Sequence, residues 1–119
     1  MNRKESFVAL VTGGSRGIGR AICLELASAG YYVVINFHSN SPTAEETLEM
    51  VTGQGGHGEI SRFDVANARE TQKAIGDMIH RHGHIHVLVN NAGITSDGLF
   101  VFMTENEWDS VINTHLKGF

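Results

Sequence analysis

Val11-Thr12-Gly13-Gly14-Ser15-Arg16-Gly17-Ile18-Gly19 lies between two segments of different periodicity. Before it, Phe7-Val8-Ala9-Leu10-Val11 is an unbroken apolar run, the pattern of a strand buried on both faces. After it, Ile18, Ile22, Leu26 and Ala29 recur at the spacing of one helix face. The glycines therefore occupy a strand-to-helix turn. Glycine permits a tight reversal there and lets a bound group approach the backbone closely. The helix start adds unpaired N–H groups and the positive end of a dipole, so the turn suits an anion.

Outward from this turn the alternation continues. Tyr32-Val33-Val34-Ile35-Asn36-Phe37 reads as a second buried strand. Ser41-Pro42 reads as an N-cap followed by proline at the first helical position, opening a helix through Glu45, Leu48 and Met50 to near Gly53. After a glycine-rich loop, Glu59-Ile60-Ser61-Arg62-Phe63 is a third, less apolar strand. Asn67 with Glu70 forms a capping box for a third helix, whose buried face is Ala74, Ile75, Met78 and Ile79 and whose end is Gly83. Ile85–Val89 is a fourth strand, and Thr104 with Glu107 opens a further helix carrying Trp108, Val111 and Ile112. No internal repeat, linker or low-complexity segment interrupts the series.

Strands alternating with helices predict an α/β fold with a parallel sheet, right-handed crossovers and helices on both faces. The expected strand order is 3-2-1-4. Strands 1 and 4 then flank the point where the order reverses, and ligands bind beyond the strand C-termini at such a point. Asn90-Asn91-Ala92-Gly93 follows the fourth strand directly, so it and the glycine turn fall at one cleft. With the sequence stopping at Phe119, Ile85–Val89 is expected to be an uncapped edge with free backbone donors and acceptors, and the chain to be a poor autonomous domain.

The 119 residues fit one domain at most. A hydrophobic content of 41% with 18% charged residues suits a soluble globular chain. A net charge of −4 gives no support to a nucleic-acid partner. No apolar stretch approaches the roughly 18 residues of a membrane span, and the N-terminus carries no signal-peptide pattern, so a cytoplasmic location is expected. The single cysteine, Cys23, falls among Ala21, Ile22 and Leu24 in the first helix and reads as a packed thiol. His80, His82, His84 and His86 straddle a helix end, a turn and a strand start. No acid or thiolate completes a ligand set, so they read as a polar surface turn and no metal site is expected.

Gly13-x-x-x-Gly17-x-Gly19 together with Asn90-Asn91-Ala92-Gly93 resembles the short-chain dehydrogenase/reductase family. Thr12–Arg20 and Asn90–Thr95 are most similar to the 3-oxoacyl-acyl-carrier-protein reductases within it. The resemblance runs over the whole chain, and its two motifs stand about 75 residues apart, each behind its own strand. It implies a Rossmann-type doubly wound sheet, incomplete here, with residues 1–119 as the N-terminal part of a single dinucleotide-binding domain. It further implies NADPH-dependent reduction of a 3-oxoacyl thioester, carried on acyl carrier protein, to the 3-hydroxyacyl thioester in fatty-acid or related biosynthesis, by a longer homo-oligomeric (tetrameric) parent. A short-chain oxidoreductase for another alcohol or ketone, and a non-catalytic nucleotide-binding protein, are the alternatives.

Residue roles follow. Gly13, Gly17 and Gly19 shape the phosphate turn, and Ser15, Arg16 and Ile18 line it. The resemblance implies that Asp64 and Val65, at the end of strand 3, hold the adenine; the other reading of Asp64 is a simple turn residue. Asn91, Ala92 and Gly93 are expected against the ribose and nicotinamide. A carboxylate at the end of strand 2 would accept bonds from a ribose 2′-hydroxyl and repel a 2′-phosphate. That end reads Asn36-Phe37-His38-Ser39, without an acid, and Arg16 adds a cation, so NADP(H) is expected over NAD. In the family an Asn follows Trp-x-x-Val-Ile, then a Ser and a Tyr-x-x-x-Lys pair. Here His115 stands at the Asn position, with Asn113 two residues earlier. Tyr31 and Tyr32 open strand 2 at the wrong end of the sheet, and Lys4, Lys73 and Lys117 have no Tyr-x-x-x-Lys spacing. The 119-residue chain by itself is therefore expected to reduce no ketone.

Overall fold

Residue alternation along the first strand decides which side of the sheet each helix covers. The computed structural model describes residues 7–91 and 99–102. The elements are β1 (Val8–Thr12), α1 (Gly17–Ser28), β2 (Tyr32–Phe37), α2 (Ser41–Gly53), β3 (His57–Arg62), α3 (Ala68–His82), β4 (Val87–Asn90) and β5 (Leu99–Phe102). Every residue of β1 is buried, as a central strand of a two-sided sheet requires. Val8 and Leu10 join Val34, Phe63, Ile75 and Met78 in a core beneath α3. Ala9 and Val11 join Val33, Ile35, Cys23, Ala27 and Val51 in a core beneath α1 and α2. The sheet is thus doubly wound.

Strand order is β3-β2-β1-β4-β5, which contains the expected 3-2-1-4. β1 pairs in parallel with β2 (Leu10 opposite Val34) and with β4 (Leu10 opposite Leu88), and β2 pairs in parallel with β3. The direction of the order changes at β1, between β2 and β4.

The expectation of an uncapped edge at Ile85–Val89 is corrected. β5 returns antiparallel onto β4, with Val87 opposite Phe102 and Asn90 opposite Leu99. An apolar strand edge with open N–H and C=O groups recruits the nearest extended apolar segment, and Leu99-Phe100-Val101-Phe102 is such a run. The expected helix from Thr104, with Trp108, Val111 and Ile112, lies outside the described residues.

Boundaries moved: β1 is Val8–Thr12 and not Phe7–Val11, β4 is Val87–Asn90 and not Ile85–Val89, and α2 and β3 shifted as well. The N-cap of α2 is Asn40, not Ser41: its side chain accepts the Thr43 N–H at 3.1 Å, which leaves Pro42 inside the first turn. β3 begins at His57 and ends at Arg62, because all six residues of β2 find a partner in it, from Tyr32–His57 to Phe37–Arg62. The capping box at α3 forms with a modification. Asn67 accepts the Glu70 N–H at 3.0 Å, while Glu70 reaches back past the cap to accept the Asp64 N–H at 3.1 Å.

The four histidines do not gather, and among the described residues no group of three metal-ligating side chains exists. His80 and His84 are exposed, as a surface turn predicts. His82 and His86 are structural instead. His82 lies 3.2 Å from Glu59, and His86 Nδ1 accepts the Val8 N–H at 3.0 Å with its ring stacked on Phe7.

Candidate functional site at the C-terminal strand edge

The C-terminal ends of β1, β2, β3 and β4 carry the glycine turn, Asn36 to Ser39, Asp64 and Asn91. The turn itself is built by two glycine positions of different kind. Gly17 has φ +62°, a conformation costly for other residues, and a Cβ there would meet no atom within 4 Å, so the turn is open on that side. Gly19 is buried, and a Cβ there would strike the Gly13 carbonyl and lie 2.9 Å from the Asn91 amide. The open side at Gly17 fits a pyrophosphate, which needs backbone and no side chain in its path.

α1 starts without a side-chain cap: Arg16, at the N-cap, is extended and makes no such bond. The first helical bond runs from Arg20 N–H to the Arg16 carbonyl, at 3.3 Å, so the preceding amides are the orphan donors of the helix start. The Arg16 side chain has no partner among the described residues, and Ile18 is 73% exposed.

The two sequence motifs are bonded to each other. Asn91 Nδ2 donates to the Gly13 carbonyl at 3.3 Å, and the Asn91 N–H donates to Thr12 Oγ1 at 2.8 Å. Thr12 Oγ1 also lies 3.2 Å from Asn90 Oδ1. Asn91 thus sits beside the turn, as expected for a residue of the same cleft. Ala92, Gly93 and His115 lie outside the described residues.

Asn36 is placed differently from its neighbours. It is buried, and its Oδ1 accepts the Gly13 N–H at 3.1 Å while its Nδ2 donates to the Phe63 carbonyl at 3.0 Å. It braces the ends of β1, β2 and β3 from below. His38 and Ser39 are exposed at the rim. His38 Nε2 stands 3.8 Å from Asp64 Oδ2, which follows the end of β3. Asp64 Oδ1 accepts the Ala66 N–H at 2.9 Å, the turn role that the sequence also allowed, and Oδ2 faces the rim. Val65 packs partly buried against the core under α3.

Beneath the turn, Cys23 is fully buried with its sulfur 3.8 Å from the Gly14 carbonyl, and burial pushes its thiol up to about 12. A groove of about 510 Å3 between β3 and α3, bordered by Arg62, Lys73 and Asp77, shares no residue with the turn. Among the described residues no helix is long and apolar enough to cross a membrane.

Three contributors to this site escaped sequence reading: Thr12, Arg20 and Thr47. Thr47 is completely buried on the face of α2 that also carries Ala44 and Val51. A hydroxyl on an apolar helix face was the available signal, since a buried hydroxyl needs a partner.

A model of the short chain dehydrogenases matches residues 7–119. A 3-oxoacyl-[acyl-carrier-protein] reductase FabG of Staphylococcus epidermidis is 46% identical over 110 residues, covering 92% of this chain and 45% of the relative. A 3-oxoacyl-[acyl-carrier-protein] reductase of Synechocystis sp. is 42% identical over 111 residues, covering 93% and 45%. The chain spans about half the length of the curated relatives it matches. Among solved structures, a doubly substituted short-chain dehydrogenase/reductase of Serratia marcescens superposes with a TM-score of 0.72 at 32% identity, covering 97% of this chain and 48% of that one. A metagenomic short-chain oxidoreductase in complex with NADP gives 0.70 at 34% identity, covering 74% and 39%.

Proposed function

This chain belongs to the short-chain dehydrogenase family, and on that premise we propose that residues 1–119 are the N-terminal, dinucleotide-binding part of an NADPH-dependent reductase. The substrate is a 3-oxoacyl thioester on acyl carrier protein, reduced to the 3-hydroxyacyl thioester by a soluble, homo-oligomeric parent in the cytoplasm. The two relatives named as 3-oxoacyl-[acyl-carrier-protein] reductases support the substrate class. The observation that carries the reading is the bonded pair of motifs: Asn91 ties to Gly13 at the reversal point of the sheet, where ligands of doubly wound sheets bind.

In this reading NADPH supplies the hydride. The amides that open α1 bind the pyrophosphate, with Gly13, Ser15, Gly17 and Gly19 forming its cradle and Ile18 covering it. Arg16 and His38, with Ser39, take the 2′-phosphate. Asn36 keeps the β1 and β2 ends in register for it. Asp64 and Val65 border the adenine, and Asn91, Ala92 and Gly93 the nicotinamide ribose. His115 stands where the family places an Asn, and the Ser and Tyr-x-x-x-Lys of the family chemistry are not among these 119 residues.

Fluorescence titration of the complete parent protein tests the cofactor. NADPH should bind more tightly than NADH by about 2–4 kcal/mol, the value of one or two charge-assisted contacts to the 2′-phosphate. Arg16→Ala should narrow that gap. Equal affinities for the two cofactors would refute the assignment.

A further inference from the structure

The Ser15 carbonyl, in the middle of the glycine turn, is held by one side chain of α2 and one of α1. Thr47 Oγ1 donates to it at 2.7 Å and Arg20 Nη2 at 2.9 Å. The two donors are themselves joined, because Arg20 Nε donates to Thr47 Oγ1 at 2.9 Å. Arg20 Nη2 reaches on to the Thr43 carbonyl at 3.2 Å and to Glu46 Oε1 at 2.8 Å, both in the N-terminal half of α2. Thr47 has no solvent exposure, while its partners Ser15 and Arg20 are partly buried.

The geometry has a directional consequence. A trans peptide sets its C=O and the following N–H on opposite sides. With the Ser15 carbonyl turned toward α2, the Arg16 N–H is turned away from α2, and no acceptor among the described residues takes it. The same two side chains fix where α2 begins relative to the turn. The segment before α2 is His38-Ser39-Asn40, the rim assigned above to the 2′-phosphate.

We infer that Arg20 and Thr47 are positioning residues for the dinucleotide: by clasping the Ser15 carbonyl to α2 they aim the Arg16 amide at the pyrophosphate and set the distance between the pyrophosphate and 2′-phosphate ends of the site. Neither side chain touches the cofactor. The inference rests on the dinucleotide reading of the turn. Thr47→Val keeps the shape and removes the hydroxyl, leaving the Ser15 carbonyl with one donor instead of two. Thr47→Ser keeps the hydroxyl.

The test is NADPH titration of the complete parent protein and its variants well below their melting temperatures, with hydrogen exchange followed over residues 13–19. Thr47→Val should weaken NADPH binding roughly tenfold and speed exchange in the turn while leaving β1 and β2 protected. Thr47→Ser should restore both, which a loss of packing alone would not produce. Should Thr47→Val fail to fold, Arg20→Met, which keeps the aliphatic stem of a partly exposed side chain, carries the same comparison. Unchanged NADPH affinity in the folded variants overturns the inference alone. Absence of NADPH binding by the unsubstituted parent protein overturns the dinucleotide reading and this inference together.

Discussion

Asn36 shows how one buried amide can organise a site that it does not enter. Its carbonyl oxygen accepts from Gly13 at the end of β1, and its NH2 donates to Phe63 just beyond β3. A leucine in the same place would leave the Gly13 N–H and the Phe63 carbonyl without these partners, at a cost of about 1–3 kcal/mol for each buried group left unsatisfied. Cys23 is the opposite case, a reactive residue type made inert by its surroundings. Burial pushes its thiol up to about 12, so at pH 8 almost none is thiolate. The folded chain should therefore react with a disulfide reagent such as DTNB far more slowly than the same chain in denaturant. Equal rates in the two conditions would place Cys23 at the surface.

Among the elements, α3 has the most complete N-terminal cap. Asn67 accepts the Glu70 N–H, and Glu70 in turn accepts from the Asp64 N–H and from Asn67 Nδ2. Its carboxylate also pairs with Arg62 at 3.1 Å. The cap thus ties the helix start to the turn that carries Asp64. Asn67→Ala should lower the unfolding free energy by about 1 kcal/mol. Chemical denaturation measures this, and an unchanged midpoint would show that the cap contributes nothing. β5 has a different origin. It has no partner until β4 is in place, and its antiparallel return covers an edge that parallel pairing with β1 leaves open on the other side.

At the scale of the molecule, the sheet has two polar ends with different character. The C-terminal edge is rich in backbone donors, glycine and asparagine. At the opposite edge Tyr32, Glu59, Arg81 and His82 form one cluster, with Arg81 meeting Glu59 through two bonds of 2.9 and 2.7 Å. Burial pushes the Glu59 carboxyl up, but the bonds from Arg81, Tyr32 and His82 outweigh it and hold the group below its ordinary value. Nearby, burial and the neighbouring His84 hold His86 below the ordinary histidine value of 6.5. Its Nδ1 accepts the Val8 N–H, which only the unprotonated nitrogen can do. Both groups therefore favour folding in their deprotonated forms. The His86 contribution is complete above pH 6.5 and is lost as pH falls through its lower folded value; the Glu59 contribution is complete above its ordinary 4.5 and is lost below that. The melting temperature should fall in two stages on acidification. His86→Asn, which keeps an acceptor near the Nδ1 position and cannot titrate, should flatten the upper stage. A melting temperature constant between pH 7 and 5 would disprove the role of His86.

The sequence by itself determined the alternation of elements and the edge of the sheet that carries the site. Apolar runs such as Tyr32–Phe37 and the i, i+4 rows of α1 and α3 are local patterns whose burial follows from periodicity alone. The glycine turn was legible for the same reason, since its chemistry is that of the backbone. The tertiary structure decided what depends on partners distant in the chain. Thr47 lies 32 residues from the Ser15 carbonyl, and Asn36 lies 27 residues from Phe63. No local pattern records which buried polar groups will meet. The pairing of β5 with β4 is also a tertiary outcome, because a strand edge acquires a neighbour only after the sheet has assembled around β1. His38 and Asp64 meet in the same way, across adjacent strand ends, through parallel register and not through sequence proximity.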